Sequence, residues 1–396
     1  MHRFSFPLVT LVAGGTFADA ACARPLTAQK TEGTPEVVAY TGEDSPLEWR
    51  FEQLWRLGGV DDIEIGAIKF ISVNNVATDQ AGNLYVLDRT APRVLVISPE
   101  GSLIASLGSR GEGPGEFSNP LAVSISGGDL LTVYDLARGG LVRWRIDDRT
   151  VADPVRVRAQ YSYGLGLHVD GDAVHFAAHQ FLGASGEELS SRYSLVRWTP
   201  AATTLLLEGQ EFKRVPAHLP QCKVFGTHMA QIFEPVLAWV GRDDRIAVAG
   251  DRDYIVHIFD GGEPTLKIER DLAARQVTED MARREAQARM GELVAPNCDA
   301  SPTQAARALG HAEYLQAVTG VAVSPDHDIW VRRGTLADEE RLIDVFGPAG
   351  EYRGTLPSGS PWPAEFAGPD RVLVLGTDEF DVPTITAYRV VRDEPR

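Results

Sequence analysis

Val76-Ala77-Thr78-Asp79-Gln80-Ala81-Gly82-Asn83-Leu84-Tyr85-Val86 lies over Val321-Ala322-Val323-Ser324-Pro325-Asp326-His327-Asp328-Ile329-Trp330-Val331 without a gap. A few residues further on, Val94-Leu95-Val96-Ile97-Ser98-Pro99-Glu100-Gly101 meets Ile343-Asp344-Val345-Phe346-Gly347-Pro348-Ala349-Gly350. Each copy reads as strand, tight turn, strand, with β-branched residues running between corners of Gly, Asn, Asp and Pro. A small all-β unit that recurs so far along one chain means an array of sheets packed against one another.

The clearest unit covers residues 71–120. Strands are predicted over 73–78, 84–87, 93–97 and 103–107, separated by Gln80-Ala81-Gly82-Asn83, a loop through Asp88 and Pro92, and Pro99-Glu100-Gly101. Four antiparallel strands with such corners make one propeller blade. The pattern recurs over 121–155 and 164–207, which share Leu-Val-Arg-Trp at 141–144 and 195–198. It recurs again over 235–272, 317–356 and 366–391, the last holding only two strands. Trp49-Arg50-Phe51-Glu52-Gln53-Leu54-Trp55-Arg56-Leu57 has strand periodicity and can supply the missing outer strand. The predicted fold is an all-β, six-bladed β-propeller over 47–396, closed by N- and C-terminal strands so that no edge stays open. Because each unit adds its own layer of core, 396 residues fit one domain.

Two segments depart from the strand pattern. Residues 209–234 read as a loop with Pro216, Pro220, Cys222 and His228. Residues 276–315 read as a helical insertion between blades 4 and 5. Thr278 caps a helix predicted over 278–293, with Glu279 and Asp280 in its first turn and Ala282, Ala286, Met290 and Leu293 on one face. A shorter helix is predicted within 303–315. Insertions of this length are expected to cap one mouth of the ring and to carry the function.

Residues 1–23 carry a short basic start, an apolar run and small residues at Ala18-Asp19-Ala20 and Ala21-Cys22-Ala23, the pattern of a cleaved secretory signal. Residues 24–46 are polar and aperiodic and are expected to form a disordered leader. The expected location is extracytoplasmic, secreted or periplasmic, with no membrane segment after signal removal. Two cysteines then remain, Cys222 and Cys298, both in the insertions. An oxidising compartment permits a disulfide between them, and two buried thiols are the other reading. The formal charge of −17 argues against nucleic acid, which is bound by clustered Lys and Arg. It suits a neutral or cationic partner, or solubility alone.

Gly108-Ser109-Arg110-Gly111-Glu112-Gly113-Pro114-Gly115-Glu116-Phe117 lacks Gly-Lys-Ser/Thr, and its glutamates would repel a phosphate. It reads as a crossover between blades, with Phe117 as its anchor. The run from Gly111 to Pro120 fits Gly-x-Gly-Pro-Gly-x-Phe-x-x-Pro, and with Gly82-Asn83-Leu84-Tyr85-Val86-Leu87-Asp88 and Arg93-Val94-Leu95-Val96-Ile97 it resembles the NHL repeat. The whole layout resembles secreted bacterial six-bladed propellers related to NHL proteins, which implies that fold and no particular activity.

His168, His175 and His179 are the candidate metal ligands, the last two sharing a strand face. Resemblance to peptide-amidating lyases implies ligands drawn from several blades, His228, His257 or His311 among them. Resemblance to calcium-dependent propeller lactonases brings in Asn74 or Asn75. Asp79, Asp88, Asp135 and Asp260 follow strands and are expected to accept backbone N–H groups in turns. The expected function is non-catalytic binding by a monomer, without a cofactor, of a small molecule, peptide or protein at the channel mouth. The alternative is a metal-dependent hydrolase or lyase using Ca or Zn as a Lewis acid.

Overall fold

The repeated stretches are hairpins with one shared turn. Gly82 N–H donates to Asp79 C=O at 3.0 Å, and His327 N–H donates to Ser324 C=O at 2.9 Å. The side chains repeat as well: Asp79 Oδ1 accepts Asn83 N–H at 2.8 Å, and Ser324 Oγ accepts Asp328 N–H at 3.0 Å. The turn requires a left-handed residue, which is Gly82 in one copy and His327 in the other, with φ of 81° and 61°.

The computed structural model describes residues 29–30, 33–60, 73–157, 162–186, 188–214, 216, 229–290 and 300–392. Their strands form six sheets of four or five strands and one two-stranded ribbon, Arg275–Gln276 with Tyr314–Leu315. Sheet 1 runs Val73–Thr78, Leu84–Asp88, Arg93–Ile97, Leu103–Leu107. Sheet 2 runs Pro120–Ser126, Leu130–Asp135, Gly140–Arg145, Val151–Arg156. Sheet 3 runs Ser162–Asp170, Ala173–Ser185, Glu188–Trp198, Thr203–Arg214. Sheet 4 runs Ala238–Arg242, Arg245–Ala249, Ile255–Asp260, Glu263–Arg270. Sheet 5 runs Val318–Val323, Ile329–Arg333, Ile343–Phe346, Tyr352–Thr355. Sheet 6 runs Glu365–Phe366, Arg371–Thr377, Pro383–Val391 and then Arg50–Gly58, the strand expected from the N-terminal side.

Each sheet carries apolar side chains on both faces, and the cores between sheets are each shared by two successive sheets. Leu87 and Val94 meet Val133 and Trp144. Leu141 meets Val174 and Val196, and Leu195 and Leu206 meet Ile246 and Phe259. Val256 and Ile258 meet Val321 and Phe346, and Trp330 and Val345 meet Val372 and Val390. Leu373 and Ile385 meet Val86 and Leu95, so sheet 6 packs on sheet 1. The first strands of sheets 1, 2 and 3 lie side by side. Asn75 Oδ1 accepts Val123 N–H at 2.7 Å, and Ser124 Oγ accepts Val169 N–H at 3.2 Å.

The glycine-rich run joins sheet 1 to sheet 2 and folds around Phe117, which is fully buried against Trp144. Gly108, at φ 75°, passes so close to the Phe117 ring that a Cβ there would lie 2.4 Å from it. Glu116 accepts Gly113 N–H at 2.8 Å, and the Arg138 guanidinium donates to Gly113 C=O at 2.9 Å. The run is satisfied by its own chain and by sheet 2, as a crossover should be. Asp135 behaves as a turn carboxylate, accepting the N–H groups of Ser118, Asn119 and Arg138.

The N-terminal segment departs from expectation. Within 24–46, read as a disordered leader, Gln29–Lys30 pairs in parallel with Thr203–Arg214, and Glu36–Tyr40 pairs in parallel with Glu263–Arg270. Pro46 then bridges to Thr355 before Arg50–Gly58 joins Pro383–Val391. The segment therefore visits the outer edges of sheets 3, 4, 5 and 6 in turn. Glu36–Tyr40 reads Glu-Val-Val-Ala-Tyr, a β-prone run whose Val38 packs on the core of sheets 4 and 5, so the polar residues flanking it do not prevent edge pairing.

A buried ionic cluster holds this belt. Asp344, with no exposure, accepts the Tyr254 hydroxyl at 2.7 Å, Arg333 Nε at 2.9 Å and the Thr355 hydroxyl at 2.6 Å, and lies 2.8 Å from Arg270 Nη1. Two arginines face one buried carboxylate, and Asp44 of the belt supplies the second, 2.7 Å from Arg333. Burial opposes the Arg333 charge, but hydrogen bonds to Asp344 and Asp44 outweigh it and hold Arg333 above its ordinary value. Tyr352 and Tyr40 stack with centroids 4.3 Å apart, and the Arg270 guanidinium lies 4.5 Å from the Tyr352 ring centre.

A second departure is in residues 209–234, read as a loop. Residues 209–214 continue the outer strand of sheet 3, because Phe212 is buried and Leu189 pairs with Arg214. The expected signal at 1–23, and Cys22, Cys222, Cys298 and His228, lie outside the described residues.

Three substitutions test these contacts. Phe117→Ala should cost about 3–5 kcal/mol in urea unfolding, as for other large buried aromatics. Asp344→Asn should cost a similar amount, about 3–5 kcal/mol, because it leaves two buried arginines under-compensated. Asp44→Asn should act locally, speeding amide exchange over 36–40 with little change in the unfolding midpoint. Hydrogen bonding to Arg333, ahead of the opposing burial, holds the Asp44 carboxyl below its ordinary value of 3.8. Its contribution is therefore present above about pH 4 and is lost as the pH falls through the lowered value.

Candidate functional site

Of the three candidate histidines, the structure brings two together. His168 pairs with His175 across the first hairpin of sheet 3, their ring centroids 5.7 Å apart. His168 is buried over Gly241, where a Cβ would lie 2.2 Å from the ring, and its Nε2 is 2.8 Å from the Asp243 carbonyl oxygen. Neither ring nitrogen of His175 makes a well-directed hydrogen bond to a described residue. Burial, then the charges of His168 and Arg197, push His175 down to about 3, with only the main chain at His168 acting the other way. Burial likewise lowers His168, opposed by the Asp243 carbonyl.

His179 lies apart. Four residues of strand separate it from His175 by about 13 Å, and its ring sits with Tyr193 and Phe212 at centroid distances of 5.3 and 6.1 Å. Among the described residues no three or more His, Cys, Asp or Glu side chains are grouped to hold one ion. Asn75 is engaged with Val123, His257 with Asp251 at 2.7 Å, and His311 with the Ala312 carbonyl at 2.9 Å. Among the described residues the named ligands are thus not gathered around one ion, and His168 with His175 pack between sheets 3 and 4.

The helical insertion forms a second candidate site. Helix α1 is Glu279–Ala288 and helix α2 is Pro302–Leu309. The Thr278 hydroxyl accepts Met281 N–H, and Ser301 with Gln304 forms a complete capping box. The alanine face of α1 does not reach the sheets directly. Ala282 and Ala286 pack with Ala306 and Leu309 of α2 and with Ile232, Val277, Leu315 and Leu336 in a separate small core. Ile232 N–H donates to Gly310 C=O at 3.0 Å and Ala312 N–H to Ile232 C=O at 2.9 Å, so the two segments outside the strand pattern are joined. Arg284 pairs with Asp338 at 2.9 Å, and buried Glu285 accepts Ala337 N–H at 2.8 Å, fastening α1 to the sheet 5 loop.

Between the helices is a cavity of about 610 Å³ lined by Glu279, Asp280, Arg283, Thr303, Arg307 and His311 over a floor of Ala282, Ala306 and Gly310. Small residues make the space, and charges of both signs rim it. Arg283 is paired with Asp280 at 2.6 Å. Such a recess is suited to recognition of a polar ligand. Sequence reading located the insertion but not its lining, since Thr303, Arg307 and His311 meet α1 only through the helix–helix packing. At the far end of the first strands from the insertion, Arg242 donates to Val323 C=O at 2.9 Å and pairs with Glu365, tying together sheets 4, 5 and 6. Burial raises the Glu365 carboxyl, and the Arg242 charge opposes this.

No known protein family and no curated protein matches the chain by sequence. Among solved structures it is similar to a candidate exported protein from Bacteroides fragilis, with 11% identity over 91% of this chain and 100% of the other, at a TM-score of 0.49. It is similar to a member of the DUF4221 family from Bacteroides vulgatus, with 7% identity over 87% and 99% of the two chains and a TM-score of 0.48. Virginiamycin B lyase from Staphylococcus aureus shows 11% identity over 87% of this chain and 100% of its own, at a TM-score of 0.41. The fold is all-β and propeller-like on the evidence of its own sheets. Among the described residues no helix is long and apolar enough to cross a membrane.

The histidine pair sets an acid limit. His175 is depressed when folded but titrates near 6.5 when unfolded, so its contribution is complete above about pH 6.5 and is lost as the pH falls toward 3. Stability should decline by about 1.4 kcal/mol per pH unit across that range from this group. His175→Gln should flatten the decline, read from urea midpoints at successive pH values.

Proposed function

We propose that this chain is an exported, monomeric, non-catalytic binding protein built as a closed six-bladed propeller related to NHL proteins. Six cores shared pairwise by successive sheets support the ring, together with the pairing of Arg50–Gly58 with Pro383–Val391. The apolar N-terminal run followed by small residues supports export. The ligand is a polar small molecule or short peptide, held at the insertion end.

The observation that carries this reading is the charged cavity between α1 and α2, built on its own core and fastened to the sheet 5 loop. The chain spends residues there that no blade requires.

The test is retention of compounds from spent growth medium, read by mass spectrometry after equilibrium dialysis. Wild type should retain a compound that Thr303→Trp, which blocks the cavity at an exposed position, loses at least tenfold. Equal retention by both proteins would remove the cavity from the proposal. A stoichiometric bound metal in the purified protein, or conversion of the retained compound, would overturn the non-catalytic reading in favour of a metal-dependent hydrolase or lyase.

A further inference from the structure

Among the described residues, arginines recessed in the fold commonly face a carboxylate: Arg214 faces Glu234, Arg242 faces Glu365, Arg245 faces Asp260, and Arg270 and Arg333 face Asp44 and Asp344. Arg332 does not. Its guanidinium lies 4.9 Å from the ring centre of Trp362 and donates from Nη2 to the Thr319 carbonyl at 3.0 Å. Among the described residues it has no carboxylate partner, and the charge nearest in effect is another cation, Arg341. In a chain of formal charge −17, a recessed arginine left without an acid stands against the general balance.

The recess is shaped around that cation. Gly320 lies beneath it, and a Cβ there would be 2.8 Å from the Trp362 ring and 3.1 Å from Arg332 Nε. Glycine therefore lets the indole and guanidinium approach the first strand of sheet 5. Thr319, Arg332, Arg341 and Trp362 all remain partly exposed, so the recess is open. It sits at the insertion end of sheet 5, since Arg332 is paired opposite Gly320, two residues from Val318 where the insertion rejoins the sheet. Burial, and then Arg341, press the Arg332 charge down to about 10. A bound anion would relieve that cost.

We infer that the Arg332 recess is a receptor for the carboxylate of a small ligand. One face of the guanidinium is covered by indole and one N–H is committed to Thr319, leaving in-plane donors for a planar acceptor with two oxygens. Trp362 excludes water from the covered face and strengthens the pairing. The Thr319 hydroxyl is already donated to the Arg333 carbonyl at 3.3 Å, so the recess offers the anion guanidinium donors. The recess is distinct from the helix cavity, and neither shares a lining residue with the other.

The test is titration of acetate into arginine-labelled protein, following the side-chain Nε–Hε resonance of Arg332, assigned by its loss in Arg332→Lys. The resonance should shift and saturate at millimolar acetate, while sodium chloride at equal ionic strength leaves it in place. Arg341→Gln, which keeps Arg332 itself, should weaken the acetate affinity severalfold. Thr303→Trp should leave it unchanged, so failure of the helix cavity and failure of this recess are separately visible. A linear, unsaturated shift equal to that with chloride would overturn the inference. So would saturation that is unaltered in Arg341→Gln and matched by sulfate, which would mark a general ionic response.

Discussion

A four-stranded antiparallel sheet with apolar side chains on both faces is not stable alone. Each face must be covered, and a strand period of two places half of the side chains on each. Here every sheet finds both covers among its chain neighbours, and the last finds one of them in the first. Val86 and Leu95 of sheet 1 pack on Leu373 and Ile385 of sheet 6, while Leu87 and Val94, one residue out of phase, pack on Val133 and Trp144 of sheet 2. The alternation within a single hairpin thus decides both neighbours of the sheet. Everything else, from the crossover around Phe117 to the insertion at the end of sheet 4, is a way of moving the chain from one such sheet to the next.

Polar groups inside this frame serve mainly to join sheets. Asn75 and Ser124 satisfy backbone donors of the neighbouring first strand, and Asp135 gathers the N–H groups of the incoming crossover. Asp344 is the strongest case, since it collects donors from sheets 4 and 5 and leaves a surplus of positive charge that the belt completes through Asp44. The His168–His175 pair belongs to the same group of contacts. Gly241 is what allows the imidazole to enter the space between sheets 3 and 4.

Much of the fold was legible because the same short-range chemistry recurs. Asp79 and Ser324 close the same turn with different side chains, and both are turn formers. The shared Leu-Val-Arg-Trp of 141–144 and 195–198 does occupy equivalent third strands. The belt was missed because Glu36–Tyr40 is only a five-residue β-prone run among polar residues, and its inward side chains, Val38 and Tyr40, find their partners on the distant sheets 4 and 5. The site was legible only as a location. His175 and His179 share a strand face as their spacing says, but one meets His168 and the other Tyr193 and Phe212, a separation set by long-range register. Arg332 gave no local signal. Its distinction is the lack of a carboxylate, which emerges only when distant parts of the chain are assembled.

The path of the belt has a consequence for how this protein comes into being. Val60 and Asp378 are bonded across 318 residues of sequence, and the outer strand of sheet 6 beside them comes from the early part of the chain. Sheets 1 to 5 can form as they are synthesised, whereas sheet 6 waits for both halves. Until then Arg50–Gly58 and Pro383–Val391 are each an unpaired edge, and closure of so long a loop is slow. Arg50–Gly58, which precedes sheets 1 to 5 in the chain, is therefore among the last strands to acquire its partner. The interval before it does is the period in which a chain of this design is most exposed to pairing with another copy of itself.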